Sequence, residues 1–224
     1  MTIGIMIPIK ENSQRVPNKT FRLLGGKPLA YWVVDTLLEI EDYDIEIWIN
    51  TDSQKVIDLY KAKPEYKDLK YYIRPDDVRG HKVSMNTVID DWMIGCGSYY
   101  SYYLQTHITN PFVPKEYFEE ALKSMNYYSQ TSHRSVMGVT RHQCRMWHQS
   151  YPVNFRRGEV LQTQELKPVF EDNSCFYAFD FEGFSTDGRV SPQPYMIEVS
   201  YPHNVDIDTE DDWDLAKILC ERIM

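Results

Sequence analysis

The chain has 224 residues, a formal net charge of -9 and a pI near 5.2. This length is enough to bury the core of one α/β domain, and the acidic balance argues against nucleic acid or an anionic membrane as a partner. Apolar runs stay short of the roughly 18 residues of a membrane span, and the first residues carry no signal-peptide pattern. We therefore expect a single-domain cytoplasmic protein that binds neither nucleic acid nor membrane.

The first predicted strand covers residues 4–9, which are apolar enough to be buried on both faces of a sheet. In the polar loop that follows, Asn12 and Ser13 can turn the backbone so that successive N–H groups point at one oxyanion. Only Glu11 opposes the cations of this stretch, which are Lys10, Arg15, Lys19, Arg22 and Lys27. The pattern predicts a strand, an anion-binding loop and a helix, and a triphosphate suits such a loop.

Two familiar phosphate-binding motifs are absent from this stretch. Gly25-Gly26-Lys27-Pro28 has proline where a Walker A motif needs Ser or Thr, and no G-x-G-x-x-G occurs. On charge alone, a solvated basic loop after an edge strand is the alternative, since charge runs usually face water.

The middle of the chain alternates predicted strands and helices. A helix begins at Pro28, which suits a first helical position, and residues 44–50 alternate as a strand does. Further strands are expected at 69–74, 102–106 and 135–140, and further helices at 54–61, 84–93, 114–125 and after Thr209. Residues 141–168 have no clear period, and an irregular segment of this length is usually functional or linking.

The four cysteines, Cys96, Cys144, Cys175 and Cys220, form no C-x-x-C pair, which predicts reduced and mostly buried thiols. His142, Cys144 and His148 match no familiar zinc spacing, so we predict no zinc site there.

An acidic motif closes the chain. If residues 204–208 form a strand, Asp206 and Asp208 lie on one face, roughly 7 Å apart. Mg²⁺ prefers a few carboxylates combined with substrate phosphate oxygens, so this pair is a candidate metal site. Thr209 and Asp212 have the spacing of a capping box for the last helix, and the remaining acids of that first turn suit the helix dipole.

These motifs, in this order, resemble the CMP-sialic acid synthetases, or acylneuraminate cytidylyltransferases, and the related enzymes that activate Kdo. The matching segments are IPIKENSQRVPNKT at 7–20, GGKPL at 25–29, RP at 74–75, LQ at 104–105, NSCFYAF at 173–179 and DIDTEDDW at 206–213. Lys10, Thr20 and Ser174 replace the family's usual arginine, asparagine and glycine.

The resemblance implies a Rossmann-like three-layer α/β/α nucleotidyltransferase fold with a mostly parallel sheet, in which residues 141–168 form a dimerisation arm. It implies CTP, a sialic-acid-like sugar acid and Mg²⁺ as ligands, and a homodimer as the assembly. The sialic-acid branch is the closer one, because the loop after Gln105 lacks the metal-binding aspartate of the Kdo branch. The implied roles are triphosphate binding by Lys10, Asn12, Ser13, Arg15 and Lys19; cytosine binding by Arg74 and Ser84; sugar binding by Gln105 and Asn173; metal binding by Asp206 and Asp208; and catalysis by Lys19, Arg15 and Asp208.

Two other functions fit part of the pattern. Asp206-Ile207-Asp208 also matches the D-x-D motif of metal-dependent glycosyltransferases, although the N-terminal basic loop would then have little to do. A catalytically inactive nucleotide-binding module is the second alternative, because Lys10, Thr20 and Ser174 depart from the family pattern. Without the family context, Arg74 and Ser84 also fit a strand-end arginine and a helix N-cap.

Overall fold

The computed structural model describes residues 2–80, 82–128 and 133–223. Its centre is a seven-stranded sheet in the order β7-β5-β6-β4-β1-β2-β3, in which β6 is antiparallel to both neighbours and all other pairs are parallel. The strands are β1 (Thr2–Ile9), β2 (Asp44–Thr51), β3 (Lys70–Ile73), β4 (Tyr102–Thr106), β5 (Ser135–His142), β6 (Val169–Phe179) and β7 (Tyr195–Glu198).

Six α-helices lie among the described residues. They are α1 (Leu29–Leu38), α2 (Gln54–Lys61), α3 (Met85–Gly95), α4 (Lys115–Tyr128), α5 (Phe181–Asp187) and α6 (Glu210–Ile223). None of these described helices is long and apolar enough to cross a membrane. The mostly parallel sheet with helices on both faces confirms the predicted Rossmann-like three-layer α/β/α fold.

The two faces of β1 explain why the sheet is covered on both sides. Ile5 and Ile7 belong to a buried cluster that includes side chains of α1, α2 and α4. Met6 belongs to a second buried cluster with side chains of α3 and α5. Because successive side chains of a strand point to opposite faces, the continuous apolar run of β1 serves both clusters at once.

Helix α6 forms a third cluster that connects the end of the chain to its beginning. Trp213 of α6 is packed in this cluster with Val16 of the first loop and Phe112 of the loop after β4. The guanidinium of Arg22 lies 4.1 Å from the centre of the Trp213 ring. This packing brings the acidic motif at the start of α6 against the basic loop after β1.

The prediction of a strand at the acidic motif is wrong. Residues 205–208 belong to no strand of the sheet. The Ile207 N–H donates to the Thr109 carbonyl at 2.8 Å, and the buried Val205 and Ile207 alternate with the partly exposed Asp206 and Asp208. The predicted alternation is therefore present, although it arises from docking on a loop rather than from strand pairing.

Other departures from the predicted elements lie in the second half of the chain. The sequence reasoning missed α5, which has seven residues, and β7, which has four, because elements this short show little periodicity. Within residues 141–168 the structure has a hairpin of Trp147–His148 with Tyr151–Pro152 and a short 3₁₀ helix at Thr163–Glu165.

Candidate active site

A cleft of about 500 Å³ opens at the edge of the sheet where β1, β3 and β4 end. Its wall includes the loop after β1, the start of α3, the loop after β4, a bulge of β6 and the acidic motif. The lining residues are Pro8, Ile9, Lys10, Asn12, Ser13, Gln14, Arg15, Lys19, Thr20, Arg74, Val83, Met85, Val88, His107, Ile108, Thr109, Ser174, Asp206 and Asp208. Ligands of open α/β sheets bind beyond the carboxyl ends of the strands, and this cleft has that position.

The basic loop and the acidic motif meet at one side of the cleft. Arg15 Nη2 lies 2.8 Å from Asp208 Oδ1, and Lys19 Nζ lies 3.7 Å from the same oxygen. Lys19 Nζ also donates to the Ile207 carbonyl at 2.8 Å. Burial lowers the pKa of Lys19 from its ordinary value, although Asp208 and Asp206 act in the opposite direction. The acidic motif thus positions the two cations.

Asp206 has an unusual environment for a carboxylate. Its Oδ1 is buried and has no hydrogen-bond partner among the described residues. Burial, with a smaller contribution from Asp208, raises the pKa of Asp206 to about 6, although Thr109 and Lys19 act in the opposite direction. A buried carboxylate oxygen without a partner is costly, and a cation bound in the cleft would satisfy it.

Arg74 and Lys10 are two further cations of the cleft wall. Arg74 is only 1% exposed, and its guanidinium donates to the side-chain Oδ1 and the backbone carbonyl of Asn50. Lys10 Nζ donates to the Gly80 carbonyl at 2.8 Å, and burial, followed by the charge of Arg74, lowers its pKa. Thr20, which stands where the family has asparagine, donates from Oγ1 to the Lys10 carbonyl at 3.0 Å.

A β-bulge in β6 directs Ser174 to the cleft. The pairing of β6 with β5 shifts register between Asp172 and Tyr177, and Ser174 has a φ of 58°. This left-handed conformation favours glycine, which is the family's residue at this position. The bulge is held by Tyr177 Oη, which donates to Asp172 Oδ1 at 2.5 Å, and by the Ser174 N–H, which donates to the same oxygen at 3.1 Å.

The structure brings most of the predicted site residues together. The cleft wall contains every predicted triphosphate-binding and metal-binding residue together with Arg74, namely Lys10, Asn12, Ser13, Arg15, Lys19, Arg74, Asp206 and Asp208. The cleft wall does not include Ser84, Gln105 or Asn173. Ser84 Oγ accepts from the Thr87 N–H at 3.1 Å and caps α3, and Gln105 is 0% exposed. Asn173 is buried beside the bulge, where its Oδ1 accepts from the Cys175 N–H.

Sequence reasoning missed His107, Thr109 and the apolar residues Val83, Met85 and Val88 as parts of the wall. The position of His107 and Thr109 directly after a buried parallel strand was the signal that could have identified them. The apolar residues near the start of α3 gave no such signal, because they are typical of any helix that packs on a sheet.

The cleft can neutralise a polyanion on one side and hold a cation on another. Among the residues that the structure describes, no group of three or more His, Cys, Asp or Glu side chains is arranged to hold a metal by itself. A cation here would need other oxygen ligands besides Asp206 and Asp208, and phosphate oxygens are the usual ones for Mg²⁺.

The fold and the site define an α/β protein of the nucleotidyltransferase class. The family model for "Cytidylyltransferase" matches residues 4–221, and the chain belongs to this family. The family resemblance predicted from the motifs is therefore confirmed.

Curated relatives are similar at low identity. An N-acylneuraminate cytidylyltransferase of Streptococcus agalactiae is 20% identical over 93% of this chain, which spans about half of that relative, 51% of its length. A CMP-N,N'-diacetyllegionaminic acid synthase of Legionella pneumophila is 24% identical over 99% of this chain and 97% of its own length.

Solved structures share the fold. A CMP:2-keto-3-deoxy-manno-octonic acid synthetase complexed with CTP aligns over 100% of both chains with a TM-score of 0.72 and 15% identity. A 4-diphosphocytidyl-2C-methyl-D-erythritol synthase of Anaerococcus prevotii aligns over 98% of this chain and 96% of its own with a TM-score of 0.67 and 13% identity. At these identities the likeness concerns the fold alone.

Proposed function

We propose that this chain transfers CMP from CTP to the anomeric hydroxyl of a sialic-acid-like 2-keto-3-deoxy sugar acid and releases pyrophosphate. The observation that carries the proposal is that Lys10, Arg15, Lys19 and Arg74 line the same cleft as Asp206 and Asp208. Such a cleft suits a nucleoside triphosphate whose phosphates bridge cations and a carboxylate-bound metal. The names of the curated relatives support a sugar acid as the acceptor.

In this reaction the anomeric oxygen bonds to the α-phosphorus of CTP, the anhydride bond between the α- and β-phosphates breaks, and the hydroxyl loses its proton. The enzyme contributes by positioning and by neutralising charge, as in other phosphoryl transfers. Asn12 and Ser13 offer polar groups to the phosphates. Arg15 and Lys19 are positioned to neutralise the charge that accumulates on the departing pyrophosphate.

Mg²⁺ is the cation we propose for Asp206 and Asp208. The fit rests on Asp206 Oδ1, which is buried without a hydrogen-bond partner among the described residues. Bound there, the ion would neutralise phosphate oxygens and polarise the phosphoryl group. Asp208 would also keep Arg15 and Lys19 in place, because both cations already contact its Oδ1.

The base-binding side of the cleft is proposed from its chemistry. Arg74 supplies a rigid donor group, and Val83, Met85 and Val88 supply an apolar surface for a ring. A pyrimidine needs fixed donors at its carbonyl edge and a flat apolar contact on its faces. Arg74 is the residue we propose for the cytosine, whereas the Ser84 hydroxyl is engaged in capping α3.

We also propose a homodimer through residues 141–168. Trp147 is 53% exposed, Tyr151 is 67% exposed and Val160 is 92% exposed, and all three belong to this segment. Aromatic side chains are enriched at protein interfaces. A partner subunit of the same chain would cover them.

The test is pyrophosphate release from CTP, ATP, GTP and UTP in the presence of Mg²⁺ and a series of sialic-type acids. We expect release from CTP to exceed release from the other three triphosphates by at least about tenfold. Equal rates with a purine triphosphate would overturn the base assignment. Tight CTP binding with no turnover on any acid would support the inactive module, and consumption of a CMP-sugar without pyrophosphate chemistry would support a glycosyltransferase.

A further inference from the structure

Three polar side chains, Arg189, Gln105 and His107, are hydrogen-bonded in series at the end of β4, and His107 belongs to the cleft wall. Arg189 Nη1 donates to Gln105 Oε1 at 2.6 Å, and Gln105 Nε2 lies 2.8 Å from His107 Nε2. The Arg189 guanidinium is also stacked 3.8 Å from the centre of the Tyr177 ring. No carboxylate among the described residues lies within ion-pair distance of Arg189. The Arg189 guanidinium therefore serves to orient the Gln105 side chain, to which it donates a hydrogen bond.

The directions of these hydrogen bonds fix the protonation of the histidine ring. An arginine can only donate, so the oxygen of the Gln105 amide must face Arg189. The amide nitrogen then faces His107, and because this nitrogen also only donates, His107 Nε2 must accept. A histidine that accepts at Nε2 carries its proton on Nδ1. Burial, followed by the charges of Arg189, Lys19 and Arg74, lowers the pKa of His107 to about 3, which agrees with a neutral ring.

Gln105 has little capacity left for a substrate. It is 0% exposed, its oxygen accepts from Arg189, and its nitrogen serves both His107 and the Thr106 carbonyl. His107, in contrast, lines the cleft. Its Nδ1 has no hydrogen-bond partner among the residues that the structure describes. At this point of the cleft wall, the group that can form a hydrogen bond with a ligand is therefore His107 Nδ1.

The position of His107 in the sheet indicates which ligand it meets. In the sheet, β1 lies between β4 on one side and β2 and β3 on the other, so the anion-binding loop after β1 is central and Arg74, after β3, lies on the β3 side. His107 follows β4 and Ser174 lies in β6, and these two strands pair with Thr106 opposite Phe176. His107 and Ser174 therefore lie on the β4 side of the anion-binding loop, whereas Arg74, the residue proposed for the base, lies on the β3 side. The acceptor is the proposed ligand that remains for the β4 side.

We propose that His107 is a specificity residue, a neutral donor whose Nδ1–H binds an oxygen of the acidic acceptor, and that Gln105 and Arg189 are positioning residues that fix its tautomer. This inference rests on the proposed function, and it assigns the acceptor's recognition to a residue other than Gln105. It explains why Gln105, near the end of β4, is buried against Arg189, which has no carboxylate within ion-pair distance among the described residues.

The first test measures the tautomer directly. The ring nitrogens of ¹⁵N-histidine-labelled protein are observed by NMR between pH 5.5 and 8, and His107 is assigned by its loss in His107→Gln. We expect a neutral ring protonated at Nδ1 across this range. In Gln105→Glu, the carboxylate can only accept, so the proton should move to Nε2. A ring protonated at Nε2, or a charged ring at neutral pH, in the parental protein would overturn the inference.

The second test replaces His107 by two amide residues, each of which places its nitrogen near a different ring nitrogen of the histidine. The asparagine of His107→Asn places its amide nitrogen near the position of Nδ1, whereas the glutamine of His107→Gln places it near Nε2. We expect His107→Gln to raise the KM of the acid at least about tenfold, the usual effect of losing one hydrogen bond to a charged group. His107→Asn should stay within about threefold of the parent, and the KM of CTP should change less than twofold in both.

His203→Gln is the matched control, because it removes another partly buried histidine, whose Nδ1 bonds the Phe112 carbonyl outside the cleft. It should change thermal stability without changing the KM of the acid. The probes are N-acetylneuraminate, N,N'-diacetyllegionaminate and 3-deoxy-manno-octulosonate with Mg²⁺ and CTP. Absence of turnover with all three overturns the proposed acceptor class and this inference with it. Turnover in which His107→Gln keeps the parental KM for the acid overturns this inference alone.

Discussion

Arg15 Nη2 lies 2.8 Å from Asp208 Oδ1, an ion pair between residues separated by 193 positions in the chain. The Arg15 side chain is 66% exposed, and exposed ion pairs contribute about 0–1 kcal/mol to stability. The pair therefore contributes little to stability, and its main effect is to position the Arg15 side chain. It holds a cation of the first loop beside the acidic motif from the other end of the chain.

The first prediction concerns Asp208→Asn. The amide is nearly isosteric but removes the charge that positions Arg15 and Lys19 and that a hard cation prefers. We expect pyrophosphate release to fall at least about a hundredfold while the free energy of unfolding changes by less than about 1 kcal/mol. Steady-state kinetics and thermal unfolding measure the two effects.

Asp211→Asn is the control for this substitution, because Asp211 is an exposed acid of the first turn of α6 outside the cleft. It should keep parental activity. Raising the Mg²⁺ concentration should partly restore Asp208→Asn. Parental turnover by Asp208→Asn at low Mg²⁺ would remove Asp208 from the mechanism.

The second prediction is a pH dependence of stability from Asp206. Its pKa of about 6 in the folded protein exceeds the ordinary value near 3.9 of an unfolded chain. The folded state therefore binds this proton more tightly, and the associated stability is present at low pH and is lost as pH rises through 6. Between pH 5 and 7.5, without divalent cations, the loss should be on the order of 1 kcal/mol.

Asp206→Asn isolates this effect, because asparagine does not titrate. We expect the difference in unfolding free energy between Asp206→Asn and the parent to grow in favour of the variant as pH rises from 5 to 7.5. Denaturant unfolding in EDTA at several pH values measures it. A difference that is constant with pH would show that Asp206 titrates normally.

The third prediction concerns Arg74→Lys. Lysine lacks the planar fork that lets Arg74 donate to both the side chain and the backbone of Asn50. We expect unfolding to become easier by about 1–3 kcal/mol, since buried acceptors lose their donors, and the KM of CTP to rise about tenfold. Arg134→Lys, at an exposed pair with Glu182 away from the cleft, should change neither. An unchanged KM for CTP in Arg74→Lys would separate Arg74 from base binding.

The fourth prediction concerns assembly. Light scattering should show a homodimer, and Trp147→Ser with Tyr151→Ser should weaken it at least about tenfold, because aromatic side chains dominate the energetics of interfaces. Deletion of residues 141–168 should give a monomer with weakened catalysis. Tyr99→Ser, at a residue that is 91% exposed outside this segment, should leave the dimer intact. A parental protein that is monomeric at working concentration would refute the dimerisation arm.

The sequence by itself determined the sheet-forming core and the chemistry of the basic loop. The run of β1 is apolar on both faces, so burial against two helix layers followed from composition alone. The cations of residues 10–19 and the acids of residues 206–208 could be identified as ligand groups from residue type and spacing. Their family followed from the order of the motifs, and the family model agrees.

Only the tertiary structure decided which of these residues line the cleft and which form hydrogen bonds with other residues of the chain. Gln105 and Asn173 were predicted as substrate contacts, yet both are buried and bonded to other parts of the chain. The sequence predicted no role for His107, although this residue lines the cleft. The reason is that strand order and helix packing bring distant residues together as hydrogen-bond partners, such as Arg189, which is 84 residues from Gln105 in the chain. No local sequence pattern predicts such a pairing.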